Sequence, residues 1–281
     1  MGLKLMYITS KPAVAEITEA SGVDWIFLDM EFIGKDARQG GLDTVQNHHT
    51  VKDVATIKAA VKTAKVLVRV NPIHEALPDY PSSKDEIDAT IKAGADIVML
   101  PFFKTVEEVE QFISYVDGRA KTLLLMETVE AANLVDEILE VPGIDMIHLG
   151  LNDMHLELGM KLMFELLANG TVEKLGNKIK AKGIPFGFGG IATLDGGALP
   201  GSMVLKEHVR LGSSMVIVSR SFCNTDIVKD LNEVKRIFDT GISELRALEK
   251  DASQADAAYL EENRKAVVAA VNKIAGTNYG I

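Results

Sequence analysis

Cysteine is almost missing from this chain: Cys223 is the only one among 281 residues. No intrachain disulfide can form, and a zinc site built on thiolates is excluded. Long apolar runs are missing too. None approaches the roughly 20 residues that a bilayer-spanning helix requires, so no membrane partner is expected. Basic charge is in deficit, with 30 Lys and Arg against 40 Asp and Glu and a formal charge of −10. That balance argues against nucleic acid and against an anionic membrane surface. It leaves room for a small anion at a locally positive site. No basic-then-apolar leader opens the sequence, so the expected compartment is the cytoplasm. Low-complexity segments are absent, and so are internal repeats beyond the alternation described next.

What is present is an ordinary globular composition, 47% apolar and 25% charged. The length suits one α/β barrel or two smaller domains. Short apolar runs recur at Leu3–Ile8, Trp25–Glu31, Lys65–Val70, Ile97–Phe102, Thr122–Met126, Met146–Leu151, Pro185–Ile191 and Ser214–Phe222. Continuous rather than alternating runs mark strands buried on both faces. Helix signals lie between them. Ser83 with Glu86 reads as a capping box and Gly94 as a stop; Thr50 with Asp53 and Thr105 with Glu108 read as similar starts. Val106, Val109, Phe112 and Ile113 share one helical face.

Eight such units in about 225 residues fit a closed (β/α)8 TIM barrel, typically about 250 residues long. A doubly wound open sheet competes, but no linker or composition shift divides the chain. The barrel is expected over residues 1–250. Two apolar-striped helices follow strand eight, Ile227–Leu248 and Ala255–Ala275, where a barrel needs one. The additional C-terminal helix, within 251–281, either closes the barrel floor or docks on a second subunit. Two loops, Phe32–His49 and Met154–Gly170, exceed the usual 2–6 residues. Both follow strands on the side where barrels build their sites. The irregular stretch 193–202 does the same.

Chemistry concentrates at the strand ends. Strand five ends on Glu127 and strand six on Asn152-Asp153. Parallel neighbours lie about 4.8 Å apart, so the two acids emerge side by side. Carboxylates that close repel unless one keeps a proton or a cation sits between them. A divalent ion held by Glu127 and Asp153 is the reading adopted. With no histidine or cysteine in the pair, Mg²⁺ or Mn²⁺ is favoured, with positions left for water and substrate. Such an ion can chelate a carboxylate together with its neighbouring keto oxygen, and Arg69 can hold the same anion with its forked donors. That arrangement stabilises an enolate, the species shared by cleavage and formation of 2-oxo acids. The structural alternative is a salt-bridge ring in which Arg69 pairs with Glu31 or Glu127.

The segments GVDWIFLDMEF (22–32), VLVRVNP (66–72), AGADIVMLP (93–101), LLLMETVEAANLVDEIL (123–139) and IHLGLNDM (147–154) resemble the HpcH/HpaI aldolase and citrate lyase family of metal-dependent barrels. The resemblance implies that Glu127 and Asp153 are the metal-ligating carboxylates. It implies that Arg69 contacts the pyruvate part of the substrate, and that Glu31 orders a metal-bound water. It also implies a homo-oligomer, a dimer or a hexamer, that exchanges a C-terminal helix. The expected partners are a small 2-oxo acid and an aldehyde. Pro101, Asn152, Gly189 and Gly190 join Arg69 as candidate substrate contacts.

One position departs from the family. Its aldolases usually follow the strand-two glutamate with an acid/base histidine, and its citrate-lyase branch with an aspartate; this chain has Phe32. His49, or His48, folding back over the mouth is one replacement, and a metal-bound water another. Rival readings are a citrate-lyase-like enzyme acting on an acyl-CoA thioester and a non-catalytic metabolite-binding barrel. The glycine motif Gly187-Phe188-Gly189-Gly190-Ile191-Ala192 is not read as a dinucleotide fingerprint, because no helix follows it directly. His148 is expected in the core, His155 as a weaker metal candidate, and His74 and His208 at the surface. Arg220 is expected to pair with an acid, its alternative being a distal anionic group of the substrate. The methionines read as core filling.

Overall fold

The computed structural model describes residues 2–34 and 48–280. Eight parallel strands form a closed barrel: β1 (Lys4–Ile8), β2 (Trp25–Asp29), β3 (Lys65–Arg69), β4 (Ile97–Leu100), β5 (Lys121–Met126), β6 (Met146–Leu149), β7 (Phe186–Ile191) and β8 (Met215–Val218). Each strand pairs with its sequence neighbour, and β8 returns to β1. Helices are interleaved, as the (β/α)8 expectation requires. Alternate side chains point in and out of a strand. One set, including Met6, Phe27, Leu67, Met99, Leu125 and Met215, fills the barrel interior. The other set packs outward against the helices, where Ile57, Ile87, Phe112 and Phe238 are fully buried.

The strands end sooner than the apolar runs. β2 stops at Asp29, β4 at Leu100 and β6 at Leu149. Beyond these points the chain leaves the ladder. Phe102 takes a left-handed conformation (φ 49°), and Leu151 opens the helix Leu151–Glu157. The stretch after strand six is therefore not a long loop, since it carries this helix and another at Glu165–Ala168. Most of the long loop after β2 lies outside the described residues.

The capping boxes at Thr50 with Asp53 and at Thr105 with Glu108 are both formed. The third signal shifts by one residue. Ser82 caps the helix Ser83–Lys92 by accepting from Asp85 N. Ser83 and Glu86 turn inward instead, and Glu86 accepts from Asn71 Nδ2 at 2.9 Å. His208 is another correction. It is fully buried on the helix Gly201–Leu211 and stacks on Phe188 with ring centroids 3.7 Å apart, so it is not a surface residue.

The chain closes with the helices Leu231–Gln254 and Ala257–Ala275. The last one buries Val267, Val268 and Val271. It packs against the helices Gly201–Leu211 and Glu165–Ala168 of the same chain. Asn263 Nδ2 donates to Glu207 Oε1 at 2.9 Å and Lys161 Nζ to Ala275 O at 2.9 Å. Among the described residues no helix is long and apolar enough to cross a membrane.

Candidate active site

The C-terminal ends of the strands surround a cavity of about 330 Å³. Of the expected site residues, Arg69, Glu127, Asn152, Asp153, Gly189 and Gly190 line it. Glu31 sits directly behind Arg69. Pro101 is buried and outside the lining, and His49 lines a separate pocket beside Phe32 and Tyr80. His49 Nδ1 accepts the backbone N–H of Asp29 at 2.9 Å, so that nitrogen faces the flank of β2 and not the mouth. Phe32 lies edge-on to Tyr80 with centroids 4.8 Å apart, also turned from the cavity. His155 binds back to Leu151 O within its own helix and does not reach the lining.

Arg69 is the most constrained group. Asp29 and Arg69 are partners across β2 and β3, and an inward arginine there meets an inward aspartate. Nε and Nη2 donate to the two Asp29 oxygens at 2.8 Å each, and Nη1 lies 3.3 Å from Glu31 Oε2. The guanidinium rests above the Phe27 ring, 5.7 Å from its centroid. Burial disfavours its charge, but Asp29 and Glu31 more than compensate and hold it protonated. The salt-bridge alternative is thus partly correct, with Asp29 in the leading role. Asp29 is the residue that sequence reasoning missed. Its signal was the spacing of two from Glu31, which puts both acids on one side of the strand end.

Glu127 has a different environment. It is 3% exposed and makes no ion pair among the described residues. Phe102 N donates to its Oε1 at 3.1 Å, a bond that the left-handed turn at Phe102 makes reachable. Its carboxyl also lies within hydrogen-bonding reach of Asp153, which sits in the first turn of the helix Leu151–Glu157. Two carboxyl groups can share a hydrogen bond only if one holds a proton. Burial first, and then the charges of Asp153 and Glu31, push the Glu127 pKa well above the carboxylate range, against the pull of Arg69.

Asp153 is therefore not a strand-end residue, yet it reaches Glu127 as the strand spacing predicts. Among the described residues, no three His, Cys, Asp or Glu side chains are grouped to enclose an ion unaided. An ion at the Glu127–Asp153 pair would have two protein carboxylates and otherwise water or substrate oxygens. That donor set suits a hard divalent cation.

Asn71 fixes the start of the loop after β2. Its Oδ1 accepts from Phe32 N and Ile33 N at 2.9 Å each, while its amide donates to Glu86. His148 is a core residue, 1% exposed, whose Nε2 donates to Gly189 O at 3.0 Å. Tyr7 also lines the cavity; its hydroxyl donates to Cys223 O at 2.9 Å, and burial pushes its pKa up to about 12. Arg220 also lines the cavity; among the described residues it makes no salt bridge or hydrogen bond, and its charge is one of those that hold the Asp226 carboxyl low, after that of Lys11.

The sequence profile of the HpcH/HpaI aldolase/citrate lyase family matches residues 4–168. No curated protein matches the chain. Among solved structures, the fold is similar to an HpcH/HpaI aldolase from Desulfitobacterium hafniense, at 16% identity over 83% of this chain and 93% of that one, TM-score 0.58. It is similar to an HpcH/HpaI aldolase/citrate lyase family protein from Burkholderia cenocepacia, at 16% identity over 83% and 95%, TM-score 0.61. It is also similar to the citrate synthase SbnG, at 18% identity over 84% and 94%, TM-score 0.59. At these identities the likeness establishes a common barrel.

Proposed function

Because this chain belongs to the HpcH/HpaI aldolase/citrate lyase family, we propose that it is a divalent-metal-dependent carbon–carbon lyase that cleaves, or in reverse forms, a 2-oxo acid. The observation that supports this reading is the Glu127–Asp153 contact, two acids brought together in the cavity that Arg69 also lines. Glu127 and Asp153 would hold Mg²⁺ or Mn²⁺. When bound, the ion supplies Lewis-acid stabilisation of charge at the 2-oxo oxygen.

Arg69 contributes preorganisation. Asp29 and Glu31 fix its guanidinium before substrate arrives, so its remaining N–H donors meet developing negative charge without rearrangement. Asn152, Gly189 and Gly190 form the wall along which the rest of the substrate passes. Phe32 has no proton to transfer, and the Nδ1 of His49 is taken by a backbone amide. A water ordered by Glu31 is the proton carrier that this geometry favours. Association into a homo-oligomer belongs to the same proposal, supported by the exposed Ile227, Leu231, Tyr259 and Ile274 around the C-terminal helices.

The test is pyruvate release from 4-hydroxy-2-oxo acids. Glu127→Ala and EDTA should each abolish it; release unchanged by either overturns the metal-lyase reading. Calorimetry with oxalate, a planar imitation of the enolate, needs no guess about the aldehyde. Oxalate binding that requires Mg²⁺ or Mn²⁺ without turnover of any 2-oxo acid would favour a metabolite-binding barrel instead.

A further inference from the structure

Glu86 is a buried acid that the proposed chemistry does not use. It belongs to the helix Ser83–Lys92 and is 1% exposed. A carboxylate in such a place costs stability unless it is well bonded. Its hydrogen-bond partners among the described residues are all donors. Tyr80 Oη donates to Oε1 at 2.9 Å and Asn71 Nδ2 to the same oxygen at 2.9 Å. The backbone N–H of Asn71 is shared between Oε1 at 3.2 Å and Oε2 at 3.3 Å. Burial raises the Glu86 pKa, and the bonds from Tyr80 and Asn71 act against that rise.

This acid decides which way the Asn71 amide is turned. A carboxylate only accepts, so it draws the NH2 group. The oxygen then faces the chain after β2, where Phe32 N and Ile33 N donate to it at 2.9 Å each. The same NH2 group lies 3.4 Å from Met30 O. One amide thus binds the chain on both sides of Glu31, at Met30 and at Phe32. Glu31 lies 3.3 Å from Arg69 Nη1, and its N–H donates to Asp29 Oδ1 at 3.3 Å. Contacts therefore run from Glu86 through Asn71 to the acid behind Arg69. The guanidinium has its own anchor, the two bonds to Asp29.

We propose that Glu86 is a positioning residue for the lyase reaction: through Asn71 it sets the place of Glu31, and with it the water that carries the proton. The proposal rests on the 2-oxo acid reading of the cavity. It divides the work of the site. Anion binding depends on the metal and Arg69, and proton transfer depends on the Glu31 arm.

The experiment is exchange of the pyruvate methyl protons in D2O with Mg²⁺, followed by NMR, beside calorimetry of oxalate with Mg²⁺. Removal of a methyl proton leaves its electron pair in the enolate, and a deuteron from solvent takes the vacated place, so no aldehyde is needed. Glu86→Gln keeps the size of the side chain but offers Asn71 both an oxygen and an NH2 group. The Asn71 amide can then turn over and meet Phe32 N and Ile33 N with a third donor. Exchange should fall at least about tenfold, while oxalate binds as in the wild type. Asn71→Asp should also slow exchange, because two carboxylates then face each other. Asn71→Asp combined with Glu86→Gln sets one donor against one acceptor again and should recover much of the rate.

Wild-type exchange in Glu86→Gln, an equal loss of oxalate affinity there, or a double variant no faster than either single one overturns the positioning role. Each of these leaves the 2-oxo acid reading standing, since the wild type still binds and exchanges. A wild type that binds no oxalate sinks that reading and the positioning role with it. One that binds oxalate but exchanges no proton sinks the role of Glu31, and that of Glu86 with it, but not the binding.

Discussion

Arg69 and Asp29 stand in register across β2 and β3, and two hydrogen bonds of 2.8 Å lock the guanidinium to the carboxylate. Asp29 is 1% exposed, so its charge tolerates burial because of that partner. Arg69→Met removes the cation that Asp29 and Glu31 share. It should lower unfolding stability by about 3 kcal/mol or more and abolish oxalate binding. Arg69→Lys keeps a charge but not the fork, and should retain more stability than binding. Urea unfolding beside calorimetry checks both; an Arg69→Met protein as stable as wild type would refute the account of Asp29.

If Glu127 and Asp153 hold the divalent ion, as proposed, its binding is a proton-linked event. Burial and neighbouring acids raise the Glu127 pKa in the folded protein above its unfolded value. The protonated form therefore stabilises the metal-free fold. That stabilisation is complete below the unfolded pKa and is lost as pH rises through the folded one. A divalent ion must displace the proton, so affinity for Mg²⁺ with oxalate should rise with pH and binding should release protons. Calorimetry in buffers of different ionisation enthalpy reads the number directly; a heat independent of buffer would contradict it. Glu127→Gln should keep the metal-free protein at least as stable at neutral pH while ending metal-dependent oxalate binding.

The barrel was legible because strands covered on both faces leave continuous apolar runs, and Val66–Val68 or Leu123–Met126 cannot be mistaken for amphipathic surface. Strand ends were less legible, since hydropathy does not change where the ladder stops. Leu151 continues the apolar run of β6, yet it already belongs to a helix with Met154 at i+3. That spacing was visible in the sequence but subordinate to the run. The Asp29–Arg69 pair depends on register between strands 40 residues apart, which no local pattern encodes. His208 follows Val204 by four residues and Leu205 by three, a helical face that marks it as buried. Its polar side chain conceals that position from a reading by residue type.

His148 gives the fold a dependence on acid. Burial lowers its pKa from 6.5 to about 4, against the opposing effect of its bond to Gly189 O. The unfolded chain takes up the proton first as pH falls. The contribution of the neutral ring is thus intact above about pH 6.5 and is lost progressively toward pH 4. Over the whole interval it amounts to about 3 kcal/mol. His208, whose pKa burial also lowers, acts in the same direction. His148→Leu should flatten the decline in stability between pH 7 and pH 4.5 relative to wild type. Denaturant unfolding across that range provides the measurement, and parallel curves for the two proteins would show that His148 is not the source.

Gly150 holds the place of Glu127 by having no side chain. A Cβ there would lie 2.5 Å from Glu127 Cβ and 2.9 Å from its Oε2. The backbone itself is permissive, with φ −82°, so alanine at this position is opposed by contact and not by conformation. The opposing atom is a Cβ fixed to β5, so the acid and its strand end must move together. Gly150→Ala should lower stability by about 1–3 kcal/mol through overpacking. It should also weaken metal-dependent oxalate binding at least tenfold, because a shift of a few tenths of an ångström separates Glu127 from Asp153 and from Phe102 N. Gly190→Ala is the matching control for stability: its Cβ would meet Ile217 O at 3.4 Å, an ordinary contact. That variant should unfold at nearly the wild-type denaturant concentration. Wild-type oxalate affinity in Gly150→Ala would mean that Glu127 does not hold the ion.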